Sequence, residues 1–507
     1  MNNNNPLSII RILLIIFFFV TTSFATNPNV ILIYVDDMGY GDASCLNPNA
    51  KFQTPNIDRL AKEGMTFTDG HSSDTVCTPS RYGLLTGRYS WRTTMKRGVM
   101  GAEGACLIAD GRMTLASFFQ ENGYVTGMVG KWHLGMDFPD EKGNRDWSKP
   151  TIDMPLDKGF DYFWGIPASM NYGVLAWFDG RMPKTPPSLF TRKKTNQIAF
   201  SDYRIKPPYD IKPLNSSDLE VASDFIDINC LDYFTNQSIK WLEEQTKLAK
   251  DGKPFMLYLA YTSPHKPVIP LNRFRGQGRA GAYGEFMIET DWHVGRVLDW
   301  LDNNKLADNT VVVFTSDNGP ENTWRRRIEK FNHHSNGIYR EGKRSIYEGG
   351  HRVPFFVRWP NKVKAASKWS LPVCQTDFLA TFADMLGEKL PDNSGEDSVS
   401  FYRALTGQVA PQRLAMIHHG MRGRYAVREG KWKLIMESER KDSKRELYNL
   451  STDPGEASNL IMKHPDVANR LGKRITEIIQ NGRTTPGRPQ KNDTAFWSDL
   501  YWMKDRD

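Results

Sequence analysis

Four apolar runs of strand length, each giving way at its C-terminal end to charged or polar side chains, constrain this chain more than any other feature. The first, Val30-Ile31-Leu32-Ile33-Tyr34-Val35, ends in Asp36-Asp37. A run over 124–129 ends in Gly130-Lys131-Trp132-His133, one over 255–261 leads to Ser263-Pro264-His265, and one over 311–315 ends in Asp317-Asn318. A further apolar run covers 353–357. Strands apolar on both faces are covered on both faces, and helical patterns lie between the runs. Thr54-Pro55 opens one such pattern as N-cap and first residue, and Gly64 closes it; another over 283–304 carries Val294, Val297, Leu298 and Leu301 at helical spacing. The expected fold class is therefore α/β, a large, mostly parallel central sheet sandwiched by helices. Ligands of such sheets bind beyond the carboxyl ends of the strands, so four loops far apart in sequence can converge on one site.

At 507 residues and 39% hydrophobic content, the chain can bury one large core and a smaller second one. The large α/β domain is expected at 26–409. From 410 to 507 the pattern changes: short strand-like runs over 424–428, 431–436 and 446–449 precede a helix over 465–480. That predicts a small antiparallel-sheet-plus-helix subdomain, with a tail whose Trp497, Tyr501 and Trp502 pack back on the body. Before residue 26, Arg11, an apolar stretch from Ile12 to Val20 and Ser23-Phe24-Ala25 compose a signal peptide over 1–25. The stretch is well short of the roughly 20 residues that a spanning helix needs, and no cysteine follows it to take a lipid. Secretion to the periplasm or the medium, with no stable membrane anchor, is the expectation. The net charge of +8 is mild and spread out, which favours small anions or polysaccharides as partners and not nucleic acid.

Asp36, Asp37, Asp317 and Asn318 offer three carboxylates and one amide oxygen, a hard-oxygen set that suits Ca²⁺ or Mg²⁺ and not zinc. Arg81, Lys131 and Lys343 would surround an anion beside such an ion. The five cysteines, Cys45, Cys77, Cys106, Cys230 and Cys374, are odd in number, so at least one stays unpaired within the chain. Cys77 precedes Thr78 and Pro79, residues suited to the N-cap and first position of a helix, whose amides would face the residue-77 side chain as an oxyanion site. A thiolate there would be acidic. A hard metal is nevertheless a poor companion for sulfur, and the chemistry calls for an oxygen nucleophile at residue 77.

Cys77-Thr78-Pro79-Ser80-Arg81, continuing into "YGLLTGRY", stands among "NVILIYVDDMGYGD", "GKWHLG", "SPHKP" and "TSDNGP". With these blocks in this order the chain resembles the type I, formylglycine-dependent sulfatases of the alkaline phosphatase superfamily, bacterial carbohydrate sulfatases among them, over about residues 28–480. The resemblance implies that a formylglycine-generating maturation enzyme oxidises Cys77, and that the hydrated aldehyde is the nucleophile. It implies one Ca²⁺ per chain, held by Asp36, Asp37, Asp317 and Asn318 with residue 77 facing it. Arg81 would orient the nucleophile, and Lys131, His133, His265 and Lys343 would hold the sulfate and move protons. In that scheme Asp317 takes a proton from the nucleophile, His265 or Lys343 protonates the departing alcohol, and His133 takes the proton whose loss expels sulfate. A sulfated glycan is the implied substrate.

Outside the matched blocks, His351 and Arg352 are candidates for substrate contact or for the core, His333 and His334 carry less weight, and Asn171-Tyr172 and Arg325-Arg326-Arg327 lie where specificity residues would be expected. Two other classes share parts of the pattern. Formylglycine-dependent phosphonate or phosphodiester hydrolases use the same C-x-P-x-R device, and an unmatured chain could act as a glycan- or cation-binding protein without catalysis.

Overall fold

The first apolar run forms the strand Asn29–Asp36, buried along its whole length, in the middle of a ten-stranded sheet. The structure, a computed structural model, describes residues 27–192, 205–411, 413–439 and 443–503; the expected signal peptide lies outside them. Phe255–Pro264, Val125–Lys131 and Tyr162–Ile166 follow on one side of the central strand and Thr310–Ser316 on the other, so five inner strands run parallel. Phe355–Arg358, next to Thr310–Ser316, is antiparallel, and short strands complete both edges.

Helices cover both faces in two groups. Gly281–Asn303 contacts both Pro55–Glu63 and Cys230–Lys250, and Cys77–Thr86, Leu115–Glu121 and Phe378–Leu386 form the other set. Continuous burial of the inner strands is what required both layers. No described helix is long and apolar enough to cross a membrane, and all five cysteines are free.

The C-terminal part holds a four-stranded antiparallel sheet, Met416–His419, Tyr425–Glu429, Trp432–Ile435 and Glu446–Asn449, on which the helix Pro465–Gln480 packs. Its first strand, which the sequence pattern did not mark, ends in two histidines. In the tail, Trp497 Nε1 donates to Tyr425 OH at 3.1 Å and Trp502 Nε1 to Thr476 Oγ1 at 3.2 Å. Tyr501, expected to pack with them, stays 45% exposed.

Where the small sheet meets the large domain, His71, His351 and His418 are enclosed with Glu348. His71 Nδ1 lies 2.9 Å from His351 Nδ1, His71 Nε2 lies 2.6 Å from Asp69, and the His418 ring stacks on that of His351 at 3.8 Å. Lys433 reaches in from the small sheet and donates to Glu348 at 3.0 Å and Ile346 O at 2.9 Å, so the cluster carries its own cation. Arg352 is bonded to Glu348 and Asp69. His351 and Arg352 thus belong to a buried interface and not to a substrate surface.

Candidate active site

The four strand ends meet. Asp36 closes its strand, and Asp37 turns away in the left-handed region at φ 67°; His133, past the end of Val125–Lys131, does the same at φ 63°. Such backbone is uncommon outside glycine and gathers at functional sites. The Asp317 N–H donates to Val35 O, and Asp317 Oδ1 accepts from the Asp37 N–H, both at 3.1 Å. Asn318 donates its amide to Asp37 Oδ1 at 2.7 Å and Gly319 O at 2.9 Å, which leaves its carbonyl oxygen free to face inward. Gly319 lies against the Gly349-Gly350 turn, where a Cβ would stand 1.8 Å from Gly349 O; only glycine allows that approach.

The helix Cys77–Thr86 is buried at every residue and has Val76 as its N-cap, so it starts two residues earlier than expected. The Thr78 hydroxyl accepts the Met100 N–H at 3.2 Å instead of capping. Pro79 is tolerated because first-turn amides have no helical partner to lose. The small sheet grips the segment just before this helix: His419 Nδ1 meets Asp74 Oδ2 at 2.8 Å, and the Met421 N–H donates to Thr75 Oγ1 at 3.2 Å.

Each expected cation is paired with one expected metal ligand. Arg81 Nη2 donates to Asp317 Oδ2 at 2.8 Å, Lys131 Nζ to Asp36 and Lys343 Nζ to Asp37. His265 Nε2 stands 3.8 Å from Asp37, and His133 Nε2 lies 3.0 Å from Met100 O. The ligating atoms of Asp36, Cys77 and Asp317 lie within 4.8 Å of one another, as do those of Asp36, Asp37 and His265. Asp36 Oδ1, Asp37 Oδ2 and Asn318 Oδ1 are buried with no partner in the protein. Three enclosed oxygens left unsatisfied are costly unless a cation completes them, and the donor set fits Ca²⁺ or Mg²⁺.

Burial pushes the Asp36 carboxyl up, but Lys131, His265, Arg81 and Lys343 outweigh it and hold it well below the usual range. Burial and the neighbouring Asp36 charge push Asp317 up to about 7. Burial also lowers both histidines, His265 to about 4 and His133 well below its ordinary value, so each is a neutral base at pH 7. The Cys77 thiol is raised by burial despite Lys131 and Lys343. The acidic thiolate expected at this helix start is therefore not formed, because desolvation outweighs the nearby cations.

The loop after Tyr162–Ile166 adds residues. The His133 N–H donates to Pro167 O at 2.8 Å, and the Tyr172 ring lies 5.3 Å from that of His133. Ser169 Oγ and Asn171 Oδ1 in this loop are buried without partners. Ser169 went unmarked in the sequence; the short apolar run over 162–166 ahead of it was the available signal. Arg327 is taken up by the Tyr283 ring at 3.5 Å and Ser335 Oγ at 3.0 Å, Arg325 by Glu341, and His333 by Asp42 at 2.8 Å. A cavity of about 450 Å³ lined by Asp69, Arg352, Arg413 and Arg428 includes none of the expected catalytic or metal-ligating residues; of the other candidates only Arg352 borders it.

The sulfatase family profile matches residues 28–388, and a profile described as N-sulphoglucosamine sulphohydrolase, C-terminal, matches 337–481. The chain belongs to the sulfatase family and is a sulfuric ester hydrolase. It is similar to an N-acetylgalactosamine-6-O-sulfatase of Bacteroides thetaiotaomicron, 32% identical over 89% of this chain and 93% of that protein. Human steryl-sulfatase is 30% identical over 76% of this chain and 70% of that protein. A solved 6S-sulfatase from work on the metabolism of multiple glycosaminoglycans by Bacteroides thetaiotaomicron superposes with a TM-score of 0.77 at 31% identity, covering 89% of this chain and 99% of that one.

Proposed function

We propose that the protein is an exported carbohydrate sulfatase that removes sulfate esters from a sulfated oligosaccharide or polysaccharide, using formylglycine made from Cys77 and one Ca²⁺ held by Asp36, Asp37, Asp317 and Asn318. The observation that carries this reading is the trio of unpartnered buried oxygens beside residue 77, ringed by Arg81, Lys131 and Lys343. The B. thetaiotaomicron relative, by its name an N-acetylgalactosamine-6-O-sulfatase, supports an N-acetylhexosamine 6-sulfate of the glycosaminoglycan kind as the substrate. The large domain is assigned to 26–409, the smaller one to 410–507.

When bound, the divalent cation would neutralise sulfate oxygens and hold the ester against residue 77. Lys131 and Lys343 would offset the remaining charge as it builds during transfer. Arg81, locked on Asp317 and on Lys131 O at 3.1 Å, would fix the geometry of residue 77. Asp317 would take a proton from the nucleophile. Neutral His133 has its Nδ1 unpartnered and would accept the proton whose loss expels sulfate, and both it and His265 would gain proton affinity once an anionic ester lies beside them.

The test is anion release, measured by ion chromatography, from 6-sulfated N-acetylgalactosamine, sulfated algal and animal glycans, a phosphodiester and a phosphonate. Sulfate released by the matured protein and not by Cys77→Ala is the expected result. Phosphate or phosphonate turnover without sulfate release would overturn the reading.

A further inference from the structure

Around the innermost charges lies a second, partly open group built from their neighbours in the chain. Lys266 follows His265, Arg344 follows Lys343, and Glu321 comes three residues after Asn318. Glu321 accepts from both Nη atoms of Arg344, Nη2 at 2.9 Å, and its Oε2 lies 4.0 Å from Lys266 Nζ. Two cations about one carboxylate leave this lip positive. The Arg344 side chain is 32% exposed, against 16% for Lys266 and 13% for Glu321, so Arg344 is the member that solvent reaches most.

Arg344 is also held in an uncommon conformation. Its φ is 78°, and its N–H donates to Thr75 O at 2.9 Å, two residues before Cys77. Strain of that kind persists only where the surroundings over-determine it. A guanidinium carries five N–H donors. Glu321 takes up one donor from each Nη, and Nε bonds no described residue and is not enclosed. A pair serving only to pin the loop would not need an open guanidinium. A carboxylate that grips one edge of an arginine and leaves the rest open is how a planar anion receptor is pre-organised.

We propose that Arg344, oriented by Glu321 and assisted by Lys266, is a subsite for a second anionic group of the substrate, a sulfate or carboxylate on the same sugar or on its neighbour. The inference rests on the sulfated-glycan reading above. It makes the preferred substrate at least dianionic, with one ester cleaved beside residue 77 and the other anion held at the lip.

Sulfate release by the full-length, matured enzyme is measured as kcat/KM on three substrates: N-acetylgalactosamine 6-sulfate, its 4,6-disulfate, and a 6-sulfated disaccharide containing a uronic acid. The wild type is expected to prefer at least one dianionic substrate roughly tenfold or more. Which one it prefers distinguishes sulfate from carboxylate. Arg344→Gln is expected to bring that ratio to within about twofold of unity, and Glu321→Gln to lower it in the same direction. Arg344→Lys, which keeps the charge and loses the fork, supplies an intermediate ratio and serves if the glutamine variant does not fold. A wild-type ratio near unity on both dianionic substrates overturns the subsite, and so does a variant that slows all three substrates by one factor, as a loop-pinning role would. No sulfate from any substrate with the wild type instead removes the sulfated-glycan reading on which the subsite depends.

Discussion

Arg81 and Asp317 are locked together in the interior: Nη2 donates to Oδ2 at 2.8 Å, and neither side chain has any exposed surface. Removing one partner strands the other charge, a loss of about 3–5 kcal/mol for an enclosed pair. Arg81→Met is therefore expected to lower the thermal midpoint by several degrees as well as to end sulfate release. A midpoint unchanged within a degree would show that the pair contributes nothing to the fold.

Cys77 behaves differently. Its side chain is small and forms no described hydrogen bond, so Cys77→Ala is expected to keep the circular dichroism and melting point of the parent while sulfate release falls at least about a thousandfold. A peptide mass spanning residue 77 reports in the same sample whether the cysteine was converted.

The unpartnered oxygens of Asp36, Asp37 and Asn318 predict linkage to a divalent ion. Adding Ca²⁺ to chelator-treated protein is expected to raise the melting temperature with ion concentration, by mass action on the folded state. Asn318→Ala removes one of the three oxygens and is expected to blunt the rise. If neither Ca²⁺ nor Mg²⁺ shifts the wild type, the oxygen cluster holds no ion.

The histidines at the junction with the small sheet make stability depend on acid. Burial lowers His71 to about 4 and holds His351 and His418 well below their ordinary 6.5. Between pH 6.5 and 4 the unfolded chain binds protons that the folded one refuses, so stability falls as pH falls through that window and is unaffected by these groups above it. Each contributes up to about 1.4 kcal/mol per pH unit. Melting curves from pH 7 to 4.5 should show a shallower acid loss in His71→Gln than in the wild type.

Glu289 has the opposite sign. Its Oε2 accepts the Leu271 N–H at 2.8 Å, its Oε1 is buried without a partner, and burial pushes the carboxyl from 4.5 up to about 8. The folded state keeps a proton that the unfolded state gives up between those values, so stability declines as pH rises through them. Glu289→Gln is expected to melt higher than the wild type at pH 8.5 and about the same at pH 5. A variant that melts lower at pH 8.5 would mean the charge is satisfied after all.

The parallel core and the convergence of its loops were legible because a continuous apolar run followed by acids or amides admits few other placements. Direction was not: Phe355–Arg358 is as apolar as its neighbours, yet runs antiparallel, and periodicity carries no arrow. Met416–His419 escaped notice because His418 and His419 are polar by type, although both are buried against partners contributed from far away. Asp36, Asp37, Cys77, Lys131 and Lys343 could be named from pattern. Their pairing, each cation on a different carboxylate, depends on side-chain directions that spacing does not encode. Arg344 and Glu321 went unmarked in the sequence for the same reason, since what distinguishes them is a mutual grip across 23 positions.

His419, from the first strand of the small sheet, clasps Asp74 across 345 positions of chain. Residue 77, three positions beyond Asp74, is 3% exposed. A side chain so enclosed is out of reach of a second enzyme in the folded protein, so the conversion proposed for Cys77 belongs to the chain before folding is complete. The partner that holds Asp74 is supplied 345 positions later, so the segment leading into residue 77 takes its final place only after nearly the whole chain has been made.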